Sequence, residues 1–415
     1  MTRSVGRSIA ALVLLALLGG SRAPVGATSQ PRSTGAQPIT IPIELATHHL
    51  IVKVTVNGSA PLSFVLDTGA HAAIIRTDAA KALGLTLEGQ ATVRGAGPGS
   101  QTAQFVRGAA WSLVGLDGFS QPISLAVPMS DLPSAMGRPI DGIIGGEFIR
   151  QFVVEVDYRA RHIRLHPRDS FTYTGPGQSI PIEFVNVSHP TLRATVTPAG
   201  SAPIERQFMF DIGAGTALAL HSPFVSEQHL PGSSVRTIRS LGSAGAGGQV
   251  SGQLGRVDSL QIGSFTIDNP ITLFSEDKAG ALANAALAGN IGAQIAMRFH
   301  LYLDYAHQRI IFEPSATFGE PFDRAFSGLA IRARGADFRT FQITDVLEDS
   351  PATDAGVEKG DVITAIDGVP ADRLTLAGIN EMFEKPVGYT VTIRRGDRTM
   401  TVKLTPARLI EPAGA

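Results

Sequence analysis

Two short segments carry the residues best suited to do chemistry. Phe64-Val65-Leu66-Asp67-Thr68-Gly69-Ala70 and Phe208-Met209-Phe210-Asp211-Ile212-Gly213-Ala214 each end an apolar run with an aspartate directly before a turn. The carboxylate therefore leaves the core where the backbone bends. One such segment alone reads as a turn aspartate hydrogen-bonding its own backbone. Two equivalent copies change that reading, because a two-fold axis between them would bring the aspartates face to face. Two carboxylates sharing a site cannot both ionise cheaply, so one proton is held between them. The ionised member can then take a proton from water while the neutral member donates to a carbonyl oxygen. The expected chemistry is amide hydrolysis by an activated water, with no covalent intermediate and no cofactor.

Other chemistries lack their residues. The chain has no cysteine, which excludes disulfides, zinc-thiolate sites and thiol nucleophiles. There is no Gly-x-Ser-x-Gly elbow and no His-Glu-x-x-His, so the ten histidines, including His48-His49 in a strand context, read as structural, and no metal site is expected. A formal charge of −1 offers no basic surface for nucleic acid. Gly95-Ala96-Gly97-Pro98-Gly99 and Gly242-Ser243-Ala244-Gly245-Ala246-Gly247-Gly248 invite a phosphate-loop reading. Such a loop must open a helix, however, and the second stretch runs into the alternating Gln249 to Leu254, so hairpin tips fit better.

The aspartates sit inside an internal repeat. Ile41-Pro42-Ile43-Glu44-Leu45 returns as Ile180-Pro181-Ile182-Glu183-Phe184, and Gly142-Ile143-Ile144-Gly145 returns as Gly289-Asn290-Ile291-Gly292. Val154-Glu155-Val156-Asp157-Tyr158 likewise matches Leu301-Tyr302-Leu303-Asp304-Tyr305. The offsets grow from 139 through 144 to 147, as one duplicated unit with small loop insertions would give. Two halves follow, residues 39–168 and 178–314. Within the first, Leu50 to Val56 alternates, Asn57-Gly58 turns, and Leu62 to Leu66 returns as a hairpin. Asp141, Asp157 and Asp304 flank the repeated elements and are expected to bond backbone, and Trp111 to be core.

These residues resemble the retropepsin/pepsin-like aspartic proteases, in the bacterial form with both lobes in one chain. The resemblance covers residues 39–314 and rests on Asp67-Thr68-Gly69-Ala70, Asp211-Ile212-Gly213-Ala214, Ile143-Ile144-Gly145 and Asn290-Ile291-Gly292. It implies two β-barrel lobes, Asp67 and Asp211 as catalytic dyad, and Thr68, Gly69, Ile212 and Gly213 as turn support. It also implies flaps at Gly95, Gly97, Gly245 and Gly247. The family's second turn carries a Thr or Ser whose hydroxyl locks onto the opposite lobe; Ile212 cannot form that arm, at a net cost of about 1 kcal/mol. Asn290 also stands where an apolar residue is usual.

Residues 322–408 change pattern and resemble a PDZ domain of the bacterial protease-associated kind. The match is Ser350-Pro351-Ala352, Ala355-Gly356-Val357, Gly360-Asp361-Val362-Ile363 and Ile366-Asp367-Gly368, with a helix from Leu376 to Phe383. It implies that amides of Gly328, Leu329 and Ala330 capture a peptide's terminal carboxylate, the peptide adding as a strand beside that helix. Packing on the lobes is the other role open to this part.

The N-terminus reads as an address. Arg3 and Arg7 precede the apolar run Ile9 to Leu18, and Val25-Gly26-Ala27 suits signal peptidase, so residues 1–27 are expected to be removed. Residues 28–38 form a polar leader expected to be disordered. Losing the three arginines of residues 1–27 takes the formal charge from −1 to −4. The expected protein is thus exported, periplasmic or extracellular, or anchored by its N-terminus if uncleaved, with no stable membrane span after cleavage. The fold class is mainly β: duplicated acid-protease-like β-barrel lobes followed by an α+β PDZ domain. The expected function is an exported aspartic endopeptidase acting on peptide or unfolded protein, with a C-terminal peptide as a further ligand of the PDZ groove. The alternative is a non-catalytic peptide-binding protein that keeps the fold.

Overall fold

The computed structural model describes residues 37–129, 131–241 and 244–411. The signal-peptide reading, nearly all of the leader, and Gly242 and Ser243 of the second glycine-rich stretch lie outside the described residues.

The architecture is mainly β and repeats itself. One ten-stranded sheet runs, in spatial order, Thr86–Val93, Gln101–Arg107, Ser124–Val127, Ala73–Arg76, Gly142–Ile144, Leu62–Leu66, His49–Val56, Trp111–Leu113 and Leu116–Phe119, with Glu44–Ala46 beside His49–Val56. The second has the same order: Ile238–Arg239, Gly252–Arg256, Ile271–Ser275, Leu218–Leu220, Gly289–Gly292, Ile204–Asp211, His189–Thr197, Ser259–Ile262 and Phe265–Asp268, with Glu183–Val185 beside His189–Thr197. In both, the strand ending at the aspartate lies parallel to the strand of the later glycine element: Ile143 sits opposite Val65, and Asn290 opposite Met209.

A six-stranded sheet joins the halves. Its order is Ile39–Pro42, His162–Pro167, Phe152–Asp157, Phe299–Asp304, Arg309–Pro314, Gln178–Pro181. The central pair is antiparallel, with Val154 opposite Leu303, Glu155 opposite Tyr302 and Val156 opposite Leu301. Since Val154 matches Leu301 and Val156 matches Leu303 in the repeat, a local two-fold axis passes between Glu155 and Tyr302. One continuous core, including Leu50, Phe64, Phe148, Val154, Phe208, Leu301 and Phe312, runs beneath these three sheets. Burying each such side chain stabilises by about 1.5–3 kcal/mol relative to leaving it in water.

Local chemistry sets the turns. Asn57 and Gly58 both take positive φ (51° and 71°), as the Asn-Gly pair favours. Thr47 and His48 do the same at 46° and 68°, which corrects the strand reading of His48: the pair is the hairpin turn, and the strand starts at His49. Trp111 is buried edge-on against Phe64, 5.9 Å between ring centroids.

The C-terminal part builds its own core from Phe341, Ile363, Leu376, Ile379, Val391 and Ile393. Its sheet runs Leu329–Arg334, Thr340–Val346, Val362–Ile366, Tyr389–Arg395, Arg398–Leu404, so Leu329–Arg334 is an edge strand. The buried Arg256 of the second sheet holds both ends of this part, its guanidinium donating to Phe322 O (2.8 Å) and Ile410 O (3.3 Å) as well as to Asn269 O (2.6 Å). A buried cation is tolerated there because carbonyl oxygens take its hydrogens.

Candidate active site

The strand Leu62–Leu66 is buried along nearly its whole length, and its pairing ends at Asp67, whose amide donates to Ile144 O at 2.9 Å. Gly145 then lets the chain pass the aspartate turn, since a Cβ there would stand 2.2 Å from Ala70 O. The second half repeats the arrangement, with a Cβ on Gly292 meeting Thr216 O at the same distance. Both later glycines are therefore fixed by close backbone approach.

These turns put the two aspartates face to face. Gly69 N donates to Asp67 Oδ1 at 2.6 Å, and Gly213 N to Asp211 Oδ1 at 3.1 Å. Each carboxyl lies over the other half's glycine: a Cβ on Gly213 would stand 2.1 Å from Asp67 Cγ, and one on Gly69 would stand 2.7 Å from Asp211 Oδ1. The carboxyls lie within hydrogen-bonding reach of each other, Asp211 buried and Asp67 half-buried. Burial first, then the Asp211 charge, raises Asp67 well above the usual carboxylate range. Burial also raises Asp211, against bonds from Asp67, the Gly213 amide and Asn290 that favour its ionised form. One proton is therefore shared by the pair, and the Gly213 and Asn290 donors at Asp211 favour that carboxyl as the charged member.

Thr68 ties the halves together beneath the dyad. Its hydroxyl, wholly buried, donates to Phe210 O (2.7 Å) and accepts from Ile212 N (3.0 Å), bonding the backbone on both sides of Asp211. Ile212 is buried and has no hydroxyl with which to return the bond.

The two glycine-rich stretches also meet. Gly99 N donates to Gly247 O (2.7 Å), Gly247 N to Ala96 O (2.8 Å), and Gln101 Nε2 to Ala246 O (2.8 Å). Gly97 has φ of 90°, and a Cβ on it would sit 2.6 Å from Gly248 O, so the two tips touch only because they lack side chains.

Gly328 takes φ of 83° and packs on Ser350, where its own Cβ would be 2.1 Å from Oγ. Leu329 and Ala330 lie in the edge strand, and the Leu329 amide is bonded to Ser327 Oγ at 3.2 Å. The groove between this strand and the helix Leu376–Phe383 is covered at one end by the first-half helix Asp131–Met136. Ser134 Oγ donates to Ala333 O at 2.8 Å, and a Cβ on Gly137 would stand 2.4 Å from Leu376 Cβ. Gly328 directly precedes this strand, at the end opposite the covered Ala333.

Some neighbours of the dyad escaped the sequence reading. His49 packs against the Gly215 turn and His189 lies close enough to Asp211 to favour its charge. Burial lowers His49, against the Thr47 and Ala46 carbonyls and the Asp211 charge, which raise it. The signal was available, since the two histidines open equivalent strands of the repeat. Asn290, read as a departure from pattern, donates to Asp211 Oδ2 at 3.0 Å. Asp141 accepts from Ser63 N, Asp157 from Ala160 N and Asp304 from His307 N, all backbone amides. No group of three or more His, Asp or Glu suited to a metal occurs among the described residues, nor any helix long and apolar enough to cross a membrane.

Two family models match separate parts of the chain. Residues 52–148 match the family model described as aspartyl protease, and residues 342–394 match that of the PDZ domain. A curated relative named "Probable CtpA-like serine protease", from Staphylococcus haemolyticus, is 27% identical over 135 residues, 32% of this chain and 23% of the relative. The chain thus spans less than a quarter of that relative's length. Among solved structures, an aspartic proteinase from Irpex lacteus is 12% identical, covering 68% of this chain and 99% of its own, with a TM-score of 0.42. The PDZ domain of HtrA3, bound to a phage-derived ligand, is 19% identical over 20% of this chain and 85% of its own, with a TM-score of 0.19.

Proposed function

We propose, for a chain that carries an aspartyl-protease segment and a PDZ domain, that it is an exported aspartic endopeptidase. Its parts would be a signal peptide at 1–27, lobes at 39–168 and 178–314, and the PDZ domain at 322–408. The observation that carries the reading is the crossed placement of the carboxyls, Asp67 over Gly213 and Asp211 over Gly69.

Asp211, ionised, takes one proton from a water lying between the carboxyls, and the oxygen of that water forms a bond to the peptide carbonyl carbon. Asp67 gives its proton to the carbonyl oxygen as the π bond opens. The product is a neutral tetrahedral diol, with Asp67 now ionised and Asp211 protonated. Collapse reverses the roles: Asp211 gives its proton to the departing nitrogen, the C–N bond breaks, and Asp67 recovers a proton from the diol. Amine and carboxylic acid leave, and the dyad returns with its single proton. General acid and base action of this kind contributes about 10²–10⁴-fold each. Substrate would lie extended beneath the flap tips, whose mutual hydrogen bonds must open to admit it.

The rival reading, a peptide-binding protein with a drifted second lobe, draws on Ile212 and Asn290. Against it stand carboxyls within hydrogen-bonding reach and an Asn290 that is bonded to the dyad rather than idle. The test is proteolysis of an unfolded protein by the purified mature chain across pH 3–7 with and without a diol-mimicking inhibitor. Cleavage that is inhibited, and that is lost in Asp67→Asn, is expected; undiminished cleavage by Asp67→Asn would overturn the mechanism.

A further inference from the structure

Asp211 has a buried partner for which the first lobe offers no counterpart. Asn290 Nδ2 donates to Asp211 Oδ2 at 3.0 Å, while Asn290 Oδ1 lies 2.8 Å from His221 Nε2. His221 Nδ1 lies 3.1 Å from Asn284 O. Asp211, Asn290 and His221 are 9%, 4% and 1% exposed, so water cannot readily replace any of these contacts. By strand register the matching first-lobe residues are Ile143, which has no amide to give, and Arg76, which is bonded to Asp78 and Ile140 O.

The donor and acceptor inventory restricts how this chain can be protonated. A backbone carbonyl only accepts, so His221 Nδ1 keeps its hydrogen in either charge state. While Asn290 gives its NH₂ to Asp211, its Oδ1 faces Nε2 and only accepts, so Nε2 carries a hydrogen as well. His221 is then an imidazolium, and its charge offsets that of Asp211 through one amide. Neutral His221 instead presents a lone pair at Nε2. The amide must then turn its NH₂ to the histidine, which sets Oδ1 against Asp211 and leaves an ionised Asp211 without that donor.

We propose that Asn290 and His221 are positioning residues for Asp211: protonated His221 orients the Asn290 amide to donate to the aspartate, and loss of the His221 proton to solvent turns the amide and withdraws that donor. Asp211 is thereby the ionised member of the dyad only while His221 is charged. The proposal rests on the endopeptidase reading for its effect on rate, but not for its effect on His221.

The titratable groups facing Asp211 are Asp67 across the dyad and the neighbouring histidines His49 and His189, with Tyr305 close by. Around His221 stand the carbonyls of Asn284 and Leu287 and the Asn290 amide, and the charge of Asp211 acts on it from beyond that amide. Burial lowers His221, and these acceptors together with Asp211 raise it again, leaving a net lowering. The relay is therefore set for an acidic working range.

Two measurements test this on the full mature chain. In ¹⁵N-histidine NMR, His221 is expected to titrate with both ring nitrogens protonated at low pH. Asn290→Ile, which copies the first lobe, and Asp211→Asn should each lower its pKa by about one unit, since each removes stabilisation of the cation. A His221 titration that neither variant moves refutes the relay. In proteolysis of an unfolded protein, Asn290→Ile should lower kcat roughly tenfold with KM unchanged and move the acid limb to higher pH. His221→Gln, which keeps a donor toward Asn290 but does not titrate, should restore most of the rate that His221→Leu loses. Equal rates for His221→Gln and His221→Leu also refute the relay. A wild-type chain that cleaves nothing at any pH would overturn the endopeptidase reading and leave the NMR arm to decide this one.

Discussion

Thr68→Val probes the single hydroxyl bridge between the halves. Valine keeps the shape but strands Phe210 O and Ile212 N, both bonded to that hydroxyl in a fully buried place. A stranded buried polar group costs about 1–3 kcal/mol, so two cost about 2–6; relief of the threonine's own desolvation offsets part, leaving a loss of about 2–4 kcal/mol. For a body of this size each kcal/mol is worth roughly 2–4 °C, so calorimetry should find the lobe transition lowered by roughly 5–15 °C. Thr68→Ser keeps the hydroxyl and should lose no more than about 1 kcal/mol, a single buried methyl. Ile212→Thr adds the reciprocal bond, worth about 1 kcal/mol net, and removes two buried carbons, worth about 1.6 kcal/mol, so it should be neutral to slightly destabilising. Thr68→Val within about 0.5 kcal/mol of wild type, the usual scatter of surface substitutions, or Thr68→Ser as unstable as Thr68→Val, would show that the hydroxyl does not bridge the halves.

Other outcomes follow from the same geometry. Asp67 is raised by burial and by Asp211, so its folded form holds a proton that the unfolded chain releases; stability is full below the unfolded pKa and declines as pH rises through the folded one. Asp67→Asn should therefore melt higher than wild type at neutral pH and alike at pH 3, read by thermal melts across pH; equal melts at neutral pH would contradict this. Gly213→Ala, whose Cβ would meet Asp67 Cγ at 2.1 Å, should abolish cleavage and cost about 3 kcal/mol or more in urea unfolding. Gly137→Leu should push the helix Asp131–Met136 off Leu376 and let a labelled peptide with a free terminal carboxylate bind the PDZ groove roughly tenfold tighter by fluorescence anisotropy, a gain of about 1.4 kcal/mol. Unchanged affinity would mean that the covered end plays no part in peptide capture.

Much of this was legible because the repeat carries it. The hairpin at Asn57-Gly58, the meeting of Asp67 with Asp211 and the packing glycines Gly145 and Gly292 all follow from local patterns that occur twice. Contacts formed once were harder to read. The cover of Ser134 and Gly137 over the edge strand and Leu376 depends on how a separate sheet is seated, which no period or spacing encodes. Asn290 was visible as an oddity, but its value depends on His221 lying beside it, 69 residues away in sequence and brought there by the pairing of Leu218–Leu220 with Gly289–Gly292. Thr47-His48 misled because neither residue is a habitual turn former; the hairpin imposes positive φ on both.

The sheet that joins the halves has a consequence for how they can associate. Because its axis lies between Glu155 and Tyr302, each half offers an edge whose backbone could pair with its own copy in the same register. Two copies of the first half alone would set Glu155 against Glu155, like charges directly opposed. Two copies of the second would set Tyr302 against Tyr302. In one chain Glu155 instead meets Tyr302 and takes His300 at 3.0 Å, with His166 at 2.7 Å and Arg164 at 2.8 Å, while His300 stacks on Tyr302. Joined in one chain, the halves need not match themselves at the axis, and separately made halves should prefer the mixed pair over either pair of like halves.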